Sequence, residues 1–160
     1  MIRDATKADA RQICDIYNYY IENTNITFEV EPLLTEEIAA RITRISSAYP
    51  YLVCEKDGYV AGYAYAGPWK DRAAYLYSSE ISVYLKSGSE GIGIGSALME
   101  ALLAKLRRTN LRCIISGITI PNDRSIALHE KYGFKKIGQF PQVGYKNAQW
   151  LDVGYWALNL

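Results

Sequence analysis

A glycine-rich loop in the middle of the chain has the composition of a phosphate-binding site. It covers residues 87–95, reads Ser-Gly-Ser-Glu-Gly-Ile-Gly-Ile-Gly, and joins a predicted strand to a predicted helix. Glycine lets the backbone approach a ligand closely, and the first turn of a helix offers free N–H groups and a partial positive charge. The loop therefore suits a pyrophosphate, although a flexible turn would have a similar composition.

Two common nucleotide-binding motifs do not fit this loop. A dinucleotide fold would place an acidic residue for the ribose about 20 residues further on, and the strand predicted there, residues 113–120, contains none. A P-loop would continue into Lys-Ser or Lys-Thr, whereas Gly95 is followed by Ser96 and Ala97. The sequence therefore disfavours both motifs. Which anion the loop binds must be inferred from residues outside it.

Two side chains outside the loop are suited to proton transfer near neutral pH. Glu80 lies on the strand that leads into the loop, on the polar side of an alternating pattern with Ser82 and Tyr84. His129 is the only histidine, and an imidazole can give or take a proton near pH 7. A solvated strand carboxylate and a hydrogen-bonded helix histidine are the structural alternatives.

Hydrophobic periodicity places these residues in a mixed α/β layer structure. Short Tyr- and Val-rich runs predict strands, and apolar residues at helical spacing, such as Ile13, Ile16, Tyr17 and Tyr20, predict helices. The predicted strands are residues 2–5, 51–56, 59–66, 74–85, 113–120, 134–140 and 150–158. The predicted helices are residues 7–23, a segment beginning at Thr35, residues 97–108, and residues 123–132 ending at Gly133.

Length and charge limit the possible partners. The 160 residues are about the size of one domain. Eighteen Lys and Arg against seventeen Asp and Glu give a net charge of +1, so we expect neither nucleic acid nor a membrane as partner. Three widely spaced cysteines predict reduced core residues rather than a metal site. The absence of a long apolar run near Met1 favours the cytoplasm.

The motifs around the loop, taken together, resemble the GNAT acetyltransferase superfamily. The resemblance rests on Val83-Tyr84-Leu85, on the loop itself, on Pro121-Asn122-Asp123 and on Tyr132-Gly133-Phe134. It implies one domain over residues 1–160, with a mostly antiparallel sheet of about seven strands flanked by about four helices. It also implies acetyl-CoA as co-substrate, without a metal. Glu90 departs from the family motif, which has Gln or Arg there.

The same resemblance implies which residues contact the co-substrate. The motif acts mainly through backbone amides, so we expect binding to survive the change at Glu90. The implied contacts are Val83, Tyr84, Leu85, Gly91, Ile92, Gly93, Ile94, Gly95, Ser96 and Asn122.

Further stretches resemble one branch of the superfamily, the phosphinothricin and methionine sulfoximine or sulfone acetyltransferases. They are residues 64–70, 128–130 and 144–154. In this branch the acceptor is the α-amine of a small amino acid. An amine with a pKa near 10.4 is protonated at pH 7, so a base must deprotonate it. The resemblance assigns proton transfer to Glu80 and His129 without deciding which is the base.

The resemblance also suggests residues that bind the acceptor and a partner. Lys70, Arg72 and Tyr75 could bind its anionic group, although Lys70 and Arg72 could equally belong to a solvated loop. Phe28 is a weaker pocket candidate. A homodimer is implied by the resemblance alone, and residues 144–154 could form either the pocket or the dimer contact. Acetylation of another amine, such as a polyamine, an aminoglycoside or a protein N-terminus, and a non-catalytic acyl-CoA sensor are the competing functions.

Overall fold

Seven strands and four α-helices make up the fold in the computed structural model, which describes residues 1–160. The strands are β1 (Ile2–Asp4), β2 (Tyr51–Lys56), β3 (Tyr59–Pro68), β4 (Ser78–Leu85), β5 (Cys113–Ile120), β6 (Lys135–Lys146) and β7 (Gln149–Asn159). The helices are α1 (Ala10–Asn23), α2 (Thr35–Ser46), α3 (Ile94–Leu106) and α4 (Asp123–Lys131). This order confirms the predicted succession of elements. Each of the four helices is too short or too polar to cross a membrane.

The strands form one sheet in the order β1-β2-β3-β4-β5-β7-β6. Every neighbouring pair is antiparallel except β4 and β5, which confirms the predicted mixed, mostly antiparallel architecture. The parallel pairing is short, because it joins Ser78–Glu80 only to residues 113–115. Beyond Glu80 the two strands separate, so the sheet opens at its centre.

Hydrophobic cores cover the two faces of the sheet. On one face, which we call the α1–α2 face, α1 and α2 pack on β2 and β3, where Tyr51, Val53 and Tyr63 are buried. On the other, the α3–α4 face, α3 buries five residues that are 0% exposed: Leu98, Met99, Leu102, Leu103 and Leu106. Alternation along β4 sends Ile81 to the α3–α4 face and Tyr84 to the α1–α2 face. Glu80 and Ser82 therefore share the side of Tyr84.

Several predicted element boundaries differ from the structure, and three of the differences bear on the candidate site or the last hairpin. Strand β4 begins at Ser78 rather than residue 74, because Ala73–Tyr75 forms a short 3₁₀ turn. Helix α3 begins at Ile94 rather than residue 97, since Gly93 already serves as its N-cap. Strand β6 extends to Lys146 through an irregularity between Phe140 and Gly144. The loop is thus shorter, and the last hairpin longer, than the sequence indicated.

Candidate active site

The glycine-rich loop presents backbone donors at the start of α3. Gly93 has a φ of 88°, which favours glycine, and the N–H of Ala97 bonds to its carbonyl at 3.0 Å. The preceding N–H groups, on Ile94, Gly95 and Ser96, therefore have no acceptor within the helix. A Cβ at Gly93 would have nothing within 4 Å, so the surface in front of this helix end is open. Together these features suit an anion.

Neighbouring side chains fix the shape of the loop. A carboxylate oxygen of Glu90 accepts a hydrogen bond from the N–H of Gly88 at 2.9 Å. From α4, Lys131 Nζ donates to Ser96 Oγ at 3.1 Å and Tyr132 Oη donates to the Ser96 carbonyl at 2.9 Å. Lys131 therefore places a cation beside the start of α3. This pairing has no signal in the sequence, because nothing in the spacing shows that α3 and α4 meet there.

The strand before the loop has a free edge. The N–H of Lys86 donates to the Ala61 carbonyl of β3. Backbone groups along an antiparallel strand point alternately to its two neighbours, so the N–H and C=O groups of Tyr84 point toward β3. Those of Val83 and Leu85 point toward β5. Because β5 does not pair with β4 beyond Glu80, that second edge lacks its partner strand. Tyr20 Oη occupies one of its acceptors, the Leu85 carbonyl, at 2.8 Å. The remaining groups can bind an extended ligand in place of a strand.

Glu80 lies where β4 and β5 begin to separate. It forms no ion pair or hydrogen bond with another side chain, and burial raises the pKa of its carboxyl. One of its oxygens lies 3.5 Å from the position that a Cβ on Gly117 would occupy. An unpaired, partly buried carboxylate is unfavourable for stability and typical of a functional site.

His129 is 3% exposed on α4 and packs edge-on against Phe134. Its Nδ1 lies 2.7 Å from the Ser125 carbonyl, which can only accept, so Nδ1 carries the proton of the neutral ring. Nε2 is buried without a partner. Burial lowers the pKa of His129, so the neutral ring with a free lone pair on Nε2 is the form favoured at pH 7. Asn122 caps the same helix by accepting a hydrogen bond from Ser125 N–H at 3.2 Å.

Glu80 and His129 are not in contact with each other. The Glu80 side chain lies on the α1–α2 face, whereas His129 packs with Phe134, part of the core on the α3–α4 face. The structure therefore places the predicted acid–base residues on opposite faces rather than side by side.

The predicted anion-binding residues lie together on the connection between β3 and β4. Lys70, Arg72 and Tyr75 line an open cavity of about 480 Å³ with Pro68, Trp69 and Asp71. Neither Glu80 nor the glycine-rich loop lines this cavity. Trp69 links it to the sheet, because its ring packs edge-on against Tyr155 of β7 at 5.7 Å between centroids.

Phe28 lies in the connection between α1 and α2 and is 40% exposed. Its ring covers Gly144 of β6, where a Cβ would come within 2.3 Å of it. Lys146, 5% exposed, ties the same two segments together by donating to the Thr27 carbonyl at 2.8 Å. Phe28 is thus held against the last hairpin and does not line the cavity of Lys70 and Arg72.

The sheet that opens between β4 and β5, with the glycine-rich loop at the end of β4, agrees with the acetyltransferase fold that the sequence resembles. The family model of the acetyltransferase (GNAT) domain matches residues 2–154, and the chain belongs to this family. The phosphinothricin N-acetyltransferase of Streptomyces viridochromogenes is 41% identical over 155 residues, which cover 97% of this chain and 85% of that protein. The family predicted from the sequence is confirmed.

Two further relatives belong to the same branch. The L-methionine sulfoximine/L-methionine sulfone acetyltransferase of Salmonella typhimurium is 36% identical over 160 residues, which cover 99% of this chain and 94% of that protein. The crystal structure of a phosphinothricin acetyltransferase from Sinorhizobium meliloti in complex with acetyl-CoA gives a TM-score of 0.96 at 36% identity. That alignment covers 100% of this chain and 88% of the other.

Proposed function

We propose that residues 1–160 form one acetyltransferase domain that transfers the acetyl group of acetyl-CoA to the α-amine of a small amino acid. The proposed acceptors are of the phosphinothricin, methionine sulfoximine or methionine sulfone type. The observation that carries the proposal is the unpaired Glu80 carboxylate at the point where β4 and β5 separate. The near-full-length similarity to enzymes named for these acceptors supports it.

The residues at the loop fit acetyl-CoA. Free N–H groups at the start of α3 and the open space at Gly93 would accommodate the pyrophosphate, with Lys131 adding a positive charge. The free edge of β4 at Val83 and Leu85 would bind the extended arm of the co-substrate through the backbone. When bound, acetyl-CoA supplies the activated acetyl group. Asn122, at the start of α4, completes the proposed contacts.

We assign the general base to Glu80. An amine nucleophile must lose a proton before it attacks, and a carboxylate whose pKa is raised by burial is a stronger base than one in water. His129 fits the base role less well, because it lies on the opposite face. It remains the proposed proton-transfer residue on the co-substrate side, where its Nε2 lone pair is the only buried side-chain nitrogen or oxygen without a partner.

Acceptor recognition is assigned to the connection between β3 and β4. Lys70 and Arg72 provide two cations at one cavity, and Arg72 can offer a bidentate fork to a carboxylate, phosphinate or sulfone. Tyr75 lines the same cavity. Phe28 is proposed to close the site from the side of the last hairpin.

A panel of amines tests the acceptor assignment. CoA-thiol release is measured with phosphinothricin, methionine sulfoximine, methionine sulfone, glutamate, spermidine and a peptide N-terminus. We expect turnover confined to the first three. Turnover only with spermidine or the peptide would keep the acetyltransferase chemistry and reject the acceptor class.

Glu90 gives a prediction about co-substrate affinity. Its carboxylate lies in the loop proposed to hold the pyrophosphate, so Glu90→Gln removes a like charge while keeping an acceptor for the Gly88 N–H. We expect the Kd for acetyl-CoA to fall roughly two- to fivefold, the size of an exposed charge–charge interaction. Calorimetric titration measures it, and Glu100→Gln on the exposed side of α3 is the matched control. An unchanged Kd at low salt would place the phosphates elsewhere.

We further propose a homodimer formed through the last hairpin. Five large apolar side chains on β6 and β7 are more than half exposed: Ile137, Phe140, Val143, Tyr145 and Trp150. Tyr145 and Trp150 pack together at 4.9 Å between ring centroids. Exposed apolar groups concentrated on one hairpin favour a protein contact, and a second copy of the chain is the partner that the resemblance implies.

Light scattering after gel filtration tests the dimer. We expect a dimer for the wild type and a monomer for Trp150→Glu, because a charge would be buried at the contact. Leu76→Glu is the control, since Leu76 is 65% exposed but lies outside the hairpin. A monomeric wild type, or a Trp150→Glu protein that stays dimeric, would contradict the proposal.

The cytoplasm is the proposed location. Cys14, Cys54 and Cys113 are all free thiols, which fits a reducing compartment.

A further inference from the structure

Gly117 leaves an opening in the middle of the sheet. It lies near the centre of β5, between Ser116 and Ile118, which are each 3% exposed, yet Gly117 itself is exposed. It faces the α1–α2 side, because Ile114 and Ile118 belong to the opposite core. The helices that cover this face over β2 and β3 therefore leave the surface above Gly117 uncovered.

Two groups of different chemistry border this opening. A Cβ on Gly117 would lie 3.5 Å from a carboxylate oxygen of Glu80 and 3.2 Å from Cε1 of Tyr155. Tyr155 is the residue opposite Gly117 on β7. The missing side chain thus creates a space with a proposed base on one side and an aromatic ring on the other.

The ring of Tyr155 is the centre of an aromatic row. Trp69 packs edge-on against it at 5.7 Å, and Phe140 does so from β6 at 5.8 Å. Trp69 also lines the cavity of Lys70 and Arg72. Tyr155 and Trp69 therefore link the surroundings of the Glu80 carboxylate to the cavity of the two cations.

We propose that the space above Gly117 receives the amine-bearing carbon of the acceptor, and that Tyr155 and Trp69 select its chain. This inference rests on the proposed function and deepens it. An unbranched aliphatic chain would lie along the two rings and bring a terminal phosphinate, sulfoximine or sulfone group to Lys70 and Arg72. The subsite takes α-amino acids with an unbranched side chain that ends in such a tetrahedral group, and it disfavours β-branched amino acids, whose extra methyl would meet the Tyr155 ring.

Gly117→Ala is the direct test, because it adds only a methyl group at the proposed amine position. The probe is L-methionine sulfone, titrated by calorimetry into the CoA-loaded protein, with turnover measured in parallel. We expect its Kd and KM to rise roughly 10- to 200-fold, the effect of one extra methyl-sized group in a fitted pocket. The Kd for acetyl-CoA should change less than twofold. Gly138→Ala is the control, since a Cβ there has nothing within 4 Å and should change neither value.

Two substitutions of Tyr155 test whether its ring selects the acceptor or only supports the fold. Tyr155→Ala should reduce the preference for methionine sulfone over valine about tenfold or more, and Tyr155→Phe, which keeps the ring, should retain the preference. Unchanged methionine sulfone binding in Gly117→Ala would overturn the subsite while leaving the proposed function intact. A wild-type protein that binds methionine sulfone without acetylating it would reject the function, and the Gly117→Ala titration would still decide the subsite. A wild type that does neither would overturn both.

Discussion

Replacing Glu80 with glutamine is expected to lower kcat roughly 10²- to 10⁴-fold, the contribution of a general base. Glutamine keeps the shape of the side chain but cannot accept a proton from the amine. The Kd for acetyl-CoA should stay within twofold, because the loop and the free edge of β4 are untouched. Steady-state kinetics with methionine sulfone and a separate acetyl-CoA titration measure the two effects.

The pH profile and the stability of this variant provide the control. The Glu80 carboxylate is the active form, so wild-type kcat should fall with decreasing pH through a pKa that burial has raised, and Glu80→Gln should lack this acidic limb. A raised pKa means that the folded state disfavours the charged carboxylate relative to the unfolded state. The ionised carboxylate therefore lowers the free energy of unfolding at pH values above its pKa in the folded state. This loss of stability disappears as the pH falls below the pKa of the same carboxyl in the unfolded state.

Glu80→Gln should accordingly unfold at a higher Tm than the wild type at pH 7, and the difference should shrink toward acid pH. Loss of activity together with a lower Tm would indicate a folding defect instead. A variant that keeps both the wild-type rate and the acidic limb would remove Glu80 from the base role.

Gly93→Val is expected to raise the Kd for acetyl-CoA roughly 10²-fold. Gly93 has a φ of 88°, which strains a β-branched residue by about 1–3 kcal/mol, and it caps the helix end proposed to bind the pyrophosphate. A side chain there would also fill the open space in front of the N–H groups of α3. Turnover at saturating acetyl-CoA should be affected far less than affinity.

Gly88→Val separates strain from blocked access. Gly88 has a similar φ of 84° and equally open surroundings, but it lies before the helix end. We expect its effect on the Kd to be at least tenfold smaller. Equal losses in both variants would mean that loop strain, and not the approach of the phosphates, explains the result.

Much of the fold could be predicted because local patterns agree with it. The apolar stripe of α1 and the Gly133 that ends α4 are local signals, and the structure contains both. The strand order and the short β4–β5 pairing depend on contacts between distant segments. Neither was predicted, since periodicity does not specify which strands pair, and the resemblance implied only a mostly antiparallel sheet.

The same distinction between local signals and contacts of distant segments applies to the candidate site. Glu80 and the loop are marked by residue type and position, whereas Gly117, Tyr155 and Lys131 have no signal of their own in the sequence. Gly117 matters because two other strands place Glu80 and Tyr155 beside it. The predicted start of β4 was wrong because a 3₁₀ turn precedes the strand. The predicted start of α3 was wrong because Gly93 already caps the helix within the loop.

The most direct test of the account is acetyl transfer itself. The protein is incubated with isotopically labelled acetyl-CoA and L-methionine sulfone, and the product is identified by mass spectrometry. We predict labelled N-acetyl-methionine sulfone with the wild type and at least a hundredfold less with Glu80→Gln. If the wild type binds acetyl-CoA but transfers no label to any amine of the panel, the chain acts as an acyl-CoA sensor and the enzymatic account is contradicted.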